Sequence, residues 1–157
     1  MRPVPRPLKG RIGPALIAGL CLAAAFACSN SKPPVGRWEG TYESAHALIV
    51  ARLEIAANGA VYVTAPDAIN VRTASEDERE AIRQRLAAGL VTAWDNTGPR
   101  PLEFDGKVFR KPGGVAPQLE WDPDSKQMTL IVYPGTQPTI RVRMHAVKEF
   151  SDDPWEP

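Results

Sequence analysis

Few side chains in this 157-residue chain are of types that do chemistry, and their spacing limits what they can do. His46 and His145 are soft metal ligands, and a zinc site takes three or four. Glu43 could join them if the first and last strands met, but the pattern reads as two solvated surface histidines. Asp122, Asp124 and Ser125 bear oxygens in a run without the glycine and distant bidentate glutamate of a calcium loop, so they read as a turn. Asp95, between Trp94 and Asn96, sits at a pocket rim or, more simply, starts a turn. Arg52, Arg141, Arg143 and His145 form a basic strip suited to an anionic headgroup or glycan, unless they pair across strands with residues such as Glu54. The chain has no Gly-x-Ser-x-Gly elbow, His-Glu-x-x-His helix or phosphate-cradling glycine loop. No carboxylate pair stands out as a general acid and base. The expectation is a non-enzyme with no catalytic residue, metal or cofactor.

Cys28 is the reactive group with the clearest setting. A basic start (Arg2, Arg6, Lys9, Arg11) precedes an uncharged stretch from Ile12 to Ala27, which is the plan of an export signal. That stretch has 16 residues, short of the ~20 needed to span a bilayer core. Ala25-Phe26-Ala27-Cys28 resembles the bacterial lipobox, with Ala25 where leucine is usual and Phe26 bulkier than the usual small residue. Ala25-x-Ala27 also suits ordinary signal cleavage, which would leave a soluble secreted or periplasmic protein. The resemblance implies several acyl chains at Cys28, enough for durable membrane attachment. Ser29, where aspartate favours inner-membrane retention, implies the periplasmic face of the outer membrane.

Cleavage before Cys28 would remove four basic residues and no acidic one, leaving 15 basic and 18 acidic residues, a net charge of −3. No nucleic-acid-binding stripe is evident. Cys28 would be the only thiol left, so no intramolecular disulfide could form and the core alone would hold the fold.

The chain divides into a signal peptide (1–27), a lipidated cysteine with a polar, Pro-bearing tether (28–35), one β domain (36–147) and an acidic flexible tail (148–157). Within the domain, strands are expected at Arg37–Glu43, Leu48–Ile55, Val61–Thr64, Leu90–Trp94, the pieces around Asp105-Gly106, Gln118–Trp121, Gln127–Tyr133 and Thr139–Val147. Asn58-Gly59, Asp105-Gly106 and Asp122-Pro123-Asp124-Ser125 mark tight reversals. Ser75 with Glu78 is a capping box opening a surface helix that Gly89 would stop. Tight turns force antiparallel neighbours. About eight strands and one inserted helix therefore predict a mainly β fold, a small antiparallel barrel, with a half-open sandwich as the second architecture.

Gly36-Arg37-Trp38-Glu39-Gly40-Thr41-Tyr42 resembles the Gly-x-Trp opening of the calycins, the lipocalin and avidin-like barrels. That resemblance implies that Trp38 closes one end of a barrel and that a basic residue of the last strand, Arg141 or Arg143, packs over it. With the anchor expected at Cys28, the barrel architecture itself points by analogy to a membrane-tethered, non-enzymatic barrel that binds a small apolar or amphipathic molecule. The alternative is a filled-core module that supports an envelope protein complex. Small inward residues (Gly40, Ala51, Ala146) favour a void, and large ones (Trp38, Ile49, Leu53, Met144) favour a filled interior.

Overall fold

The computed structural model describes residues 32–65, 68–133 and 138–156. The segment expected to be an export signal and Cys28 lie outside the described residues. The ordered chain begins with β1 (Gly36–Glu43) and β2 (Ala47–Ile55), joined by the turn that contains His46. Next come β3 (Val61–Thr64), the two-residue β4 (Ile69–Asn70) and α1 (Glu76–Asp95). The second half holds β5 (Glu103–Phe104), β6 (Val108–Arg110), β7 (Pro117–Asp122), β8 (Gln127–Val132) and β9 (Ile140–Val147). All pairings are antiparallel, in the order β3-β2-β1-β9-β8-β7-β6-β5, with β4 added beside β2.

These eight strands curl into a half-barrel, as the turn chemistry predicts. Gly59 (φ 84°) and Gly106 (φ 104°) occupy the left-handed region that the two tight hairpins require. Curling brings the ends of the sheet toward each other, and among the described residues one isolated bridge, Val61 to Arg100, spans them. The concave face is filled. Trp38, Leu53, Phe109, Leu119, Met128 and Met144 belong to one buried cluster. Gly40 leaves no void, because a Cβ there would collide with the Arg143 carbonyl and lie 2.8 Å from Met144 Sδ. Ala146, expected to face inward, is exposed.

Helix α1 departs from the sequence expectation. It runs through Gly89 to Asp95 and replaces the strand expected at Leu90–Trp94. Its start is as read: Ser75 Oγ accepts the Glu78 N–H while the Glu78 carboxylate accepts the Ser75 N–H. Gly89 is exposed with nothing near its absent Cβ, so it marks no turn. The ~1 kcal/mol penalty of a helical glycine is outweighed by Leu90, one turn beyond Leu86 and fully buried with Leu48, Val50 and Val71. The helix ends at Asn96, whose N–H bonds back to the Ala93 carbonyl. It lies on the convex side of β2, opposite the half-barrel interior. Strand β2 is thus buried on both faces, which explains the nearly unbroken apolar run Ala47-Leu48-Ile49-Val50-Ala51.

Segment 148–156 is also unlike the flexible tail expected from its acidity. Trp155 packs into the cluster beneath α1, and Phe150 stacks edge-on to Trp94 at 4.6 Å. Two aromatic side chains, not the surrounding carboxylates, decide where this segment goes.

Candidate functional site

The half-barrel leaves an open seam on its concave side, between β3 and the β7–β8 hairpin. A groove of about 760 Å³ runs along it, with Val63, Leu102, Leu119, Leu130 and Val132 on its walls. Arg100 and Lys111 also line it, both exposed, and neither is ion-paired to a described carboxylate. Among the described residues the strand ends meet at one bridge, and inward apolar residues of β3 and β8 are left partly uncovered. An apolar trough with cationic groups at its edge suits a molecule with an apolar body and an anionic or polar head. The edge of this trough is held by the β5–β6 hairpin. There Asp105 accepts the N–H groups of Val108 (2.9 Å) and Lys107 (3.0 Å) and pairs with Arg110. The Val108 N–H bond, then the Arg110 guanidinium, hold its carboxyl down to about 2.

A second built feature lies on the convex face. In the β1–β2 ladder Arg37 stands opposite Glu54, and Glu39 opposite Arg52. The first pair is half-exposed, with Arg37 Nε 3.0 Å from Glu54. The second is buried, with Glu39 2% and Arg52 4% exposed and Arg52 Nε 3.8 Å from Glu39 Oε1. Both groups also hold the main chain of Ser151: its N–H donates to Glu39 Oε2 at 2.9 Å, and Arg52 Nη2 donates to its carbonyl. Arg52 and Arg37 lie over the Phe150 ring at 5.0 and 5.7 Å from its centroid. Glu39 Oε1 and Arg52 Nε have no hydrogen-bond partner. Burying two ions costs several kcal/mol each, and imperfect geometry returns only part of it.

The signal for this pair was present in Arg37-Trp38-Glu39 and Arg52-Leu53-Glu54. Antiparallel pairing of those triplets matches each cation to an anion. What the sequence did not show is that the tail covers one of the two pairs.

The remaining sequence candidates do not form one site, but Asp122, Ser125, Arg141 and Arg143 come together around a pocket of about 540 Å³ that Gln127 and Thr129 also line. Cys28 is outside the described residues. Gly36 opens β1 against the Trp38 ring, at 3.2 Å from an added Cβ. Trp38 is 4% exposed, yet its aromatic neighbour is Trp121, edge-on at 6.3 Å. Arg141 and Arg143 do not lie over it. They alternate with core residues Val142 and Met144 and so point to the convex side, where Arg141 pairs with Glu120. Arg52 leaves the expected basic strip for its buried partner. His46 lies in the β1–β2 turn, while His145 is exposed on β9 opposite Glu39. No cluster of three or more metal-ligating side chains occurs among the described residues. Asp95 ends α1 in solvent. Asp122 caps its own turn, accepting the Asp124 N–H and the Ser125 hydroxyl, and the Ser125 bond chiefly holds its carboxyl low.

At the opposite end of β1, Glu43 accepts from Arg79 (2.9 Å) and Arg83 (2.6 Å), and Arg83 also reaches Glu76 and Glu80. The hydrogen bond from Arg83 pulls the Glu43 carboxyl below the ordinary glutamate value. This network ties the first turns of α1 to the sheet. No described helix is long and apolar enough to cross a membrane. Compared with protein-family models, curated proteins and solved structures, the chain gives no match.

Proposed function

We propose that this is an exported, membrane-tethered, non-enzymatic binding protein whose seam groove takes a small amphipathic molecule. The observation that carries the reading is the 760 Å³ groove, apolar along its walls and bordered by Arg100 and Lys111. Its volume is within the ~300–1,000 Å³ range of small-molecule sites. The polar end of a ligand would face the two cations and its apolar body would cover Val63, Leu102 and Val132. Tethering rests on Cys28 and its lipobox resemblance, which support acylation and a place on the periplasmic face of the outer membrane. The calycin resemblance rests on Gly36 and Trp38 alone, since Arg141 and Arg143 face the other way.

The filled concave core favours a second reading, a module that braces an envelope complex through its outer surfaces. Titration of an anionic and a neutral amphiphile of equal chain length separates the two. Binding in the groove predicts saturable association of both, tighter for the anion. Arg100→Glu should remove that preference, and Leu102→Glu should weaken both while the circular dichroism spectrum is unchanged. Absence of saturable binding in the wild-type protein overturns the groove reading and leaves the bracing module.

A further inference from the structure

The 540 Å³ pocket on the convex side of β7, β8 and β9 shares no lining residue with the seam groove. Its shape follows from side-chain length. The middle strand, β8, gives it only Gln127 and Thr129, while the long Arg141 and Arg143 rise from β9 and the turn of Asp122 and Ser125 closes the far side. Strands β7 and β9 are two strand spacings apart, ~10 Å, so charges on them share the hollow without meeting.

Those charges are unanswered. Among the described residues the strand arginines Arg37, Arg52, Arg110 and Arg141 each pair with a carboxylate, and Arg143 does not. Asp122 has no ion-pair partner among them either. It is held by the Asp124 N–H (3.0 Å) and the Ser125 hydroxyl (2.6 Å), and Lys107 acts on it only weakly.

Donors and acceptors are also sorted along the pocket. Gln127 donates its amide N–H groups to the Met128 and Met144 carbonyls, at 2.9 and 2.8 Å, which leaves its amide oxygen. With Asp122 and the Ser125 oxygen it makes an acceptor end. Arg143, the Thr129 hydroxyl opposite it in the β8–β9 ladder, and the Arg141 donors that Glu120 does not take make a donor end. The two ends are one two-residue step of β8 apart, ~7 Å. A simple anion would satisfy the donor end and be repelled by Asp122. An α-amino acid holds its two charges on either side of one carbon, too close together to serve both ends. Phosphate suits the donor end better than carboxylate, because its oxygens accept from two guanidinium groups and a hydroxyl at once.

We propose that this pocket binds a small zwitterion, a phosphate ester of an amino alcohol, with its phosphate on Arg143, Arg141 and Thr129 and its ammonium beside Asp122. The site is separate from the seam groove and its amphiphile, on the other face of the sheet. The same chemistry occurs in a free phosphorylated amine and in a phospholipid headgroup.

The test titrates the full-length protein with O-phosphoethanolamine and follows the backbone amide resonances of Thr129 and Arg143. Saturable shifts are expected, with an affinity at least ~10-fold above that for inorganic phosphate or ethanolamine alone. Arg143→Gln should weaken binding at least ~10-fold with an unchanged circular dichroism spectrum. Asp122→Asn keeps a side-chain oxygen for the turn. It should weaken the zwitterion at least ~5-fold while inorganic phosphate binds as before or more tightly. Glycerophosphoethanolamine, a diester as in a lipid, separates the sources: tighter binding than the monoester assigns the pocket to headgroups, and weaker binding to a free phosphorylated amine. No saturable shift up to ~10 mM zwitterion, phosphate alone binding as tightly as the zwitterion, or an Asp122→Asn variant with undiminished affinity for the zwitterion overturns the proposal.

Discussion

Strand β2 buries both of its faces, and the two are built on different principles. Toward the half-barrel interior, Ile49, Ala51, Leu53 and Ile55 belong to a cluster of uncharged side chains from neighbouring strands. Toward α1 and the tail, Leu48 and Val50 are followed by Arg52, whose charge is answered by Glu39 and by the main chain of Ser151. The inner face gains from every area it removes from water. The outer face removes ions from water, so its stability depends on keeping partners together. Damage to the first should scale with volume lost, and damage to the second with the charge left unpaired.

The comparison breaks most visibly at Trp38. Replacing it with alanine should cost about 3–5 kcal/mol, the usual range for a large buried aromatic, read as a fall in the urea midpoint. Arg52→Ala should cost a similar ~3–5 kcal/mol because it strands Glu39 under the tail. The sharper outcome is that the Glu39→Met/Arg52→Met double variant should recover most of that loss. No such recovery is available to the interior, and a double variant as unstable as Arg52→Ala would erase the distinction between the faces.

Acid should act on the outer side first. Glu43 has a folded pKa below its unfolded value, so its stabilising contribution is present above ~4.3 and is lost as pH falls toward the lowered folded value. Glu43→Gln should flatten the dependence of melting temperature on pH in that window. At the seam, Asp105, held to about 2, should lose its contribution over a lower window, beginning near 3.8 and ending as pH nears 2. The smallest effect is expected at Arg141→Ala, whose exposed pair with Glu120 contributes at most ~1 kcal/mol.

The same two faces explain what could be read from the sequence. Period-two alternation in β1, β2 and β9 and the three turn signals identified the inner face, the strands and the antiparallel sheet. The capping box placed the start of α1 correctly. Its end was misplaced because Gly89 is a stop signal only if the following residue has nothing to bury, and what Leu90 packs against is on β2, distant in sequence. The tail was misread because its carboxylates dominate its composition, whereas its placement depends on Phe150 and Trp155 meeting residues about a hundred positions earlier, such as Arg52. The groove was not legible either. It depends on how completely the strand ends meet, a property of accumulated sheet curvature and of no local motif.

The single bridge between Val61 and Arg100 also bears on how this molecule behaves in a crowd. A sheet that stops short of closing exposes two edges, and exposed edges recruit other chains into intermolecular sheets. Here one edge is the four-residue β3 and the other the two-residue β5, followed by a hairpin whose register shifts between Phe109 and Arg110. Too few consecutive main-chain groups are presented on either side to template a foreign strand. Short, irregular margins allow the fold to stay open without polymerising.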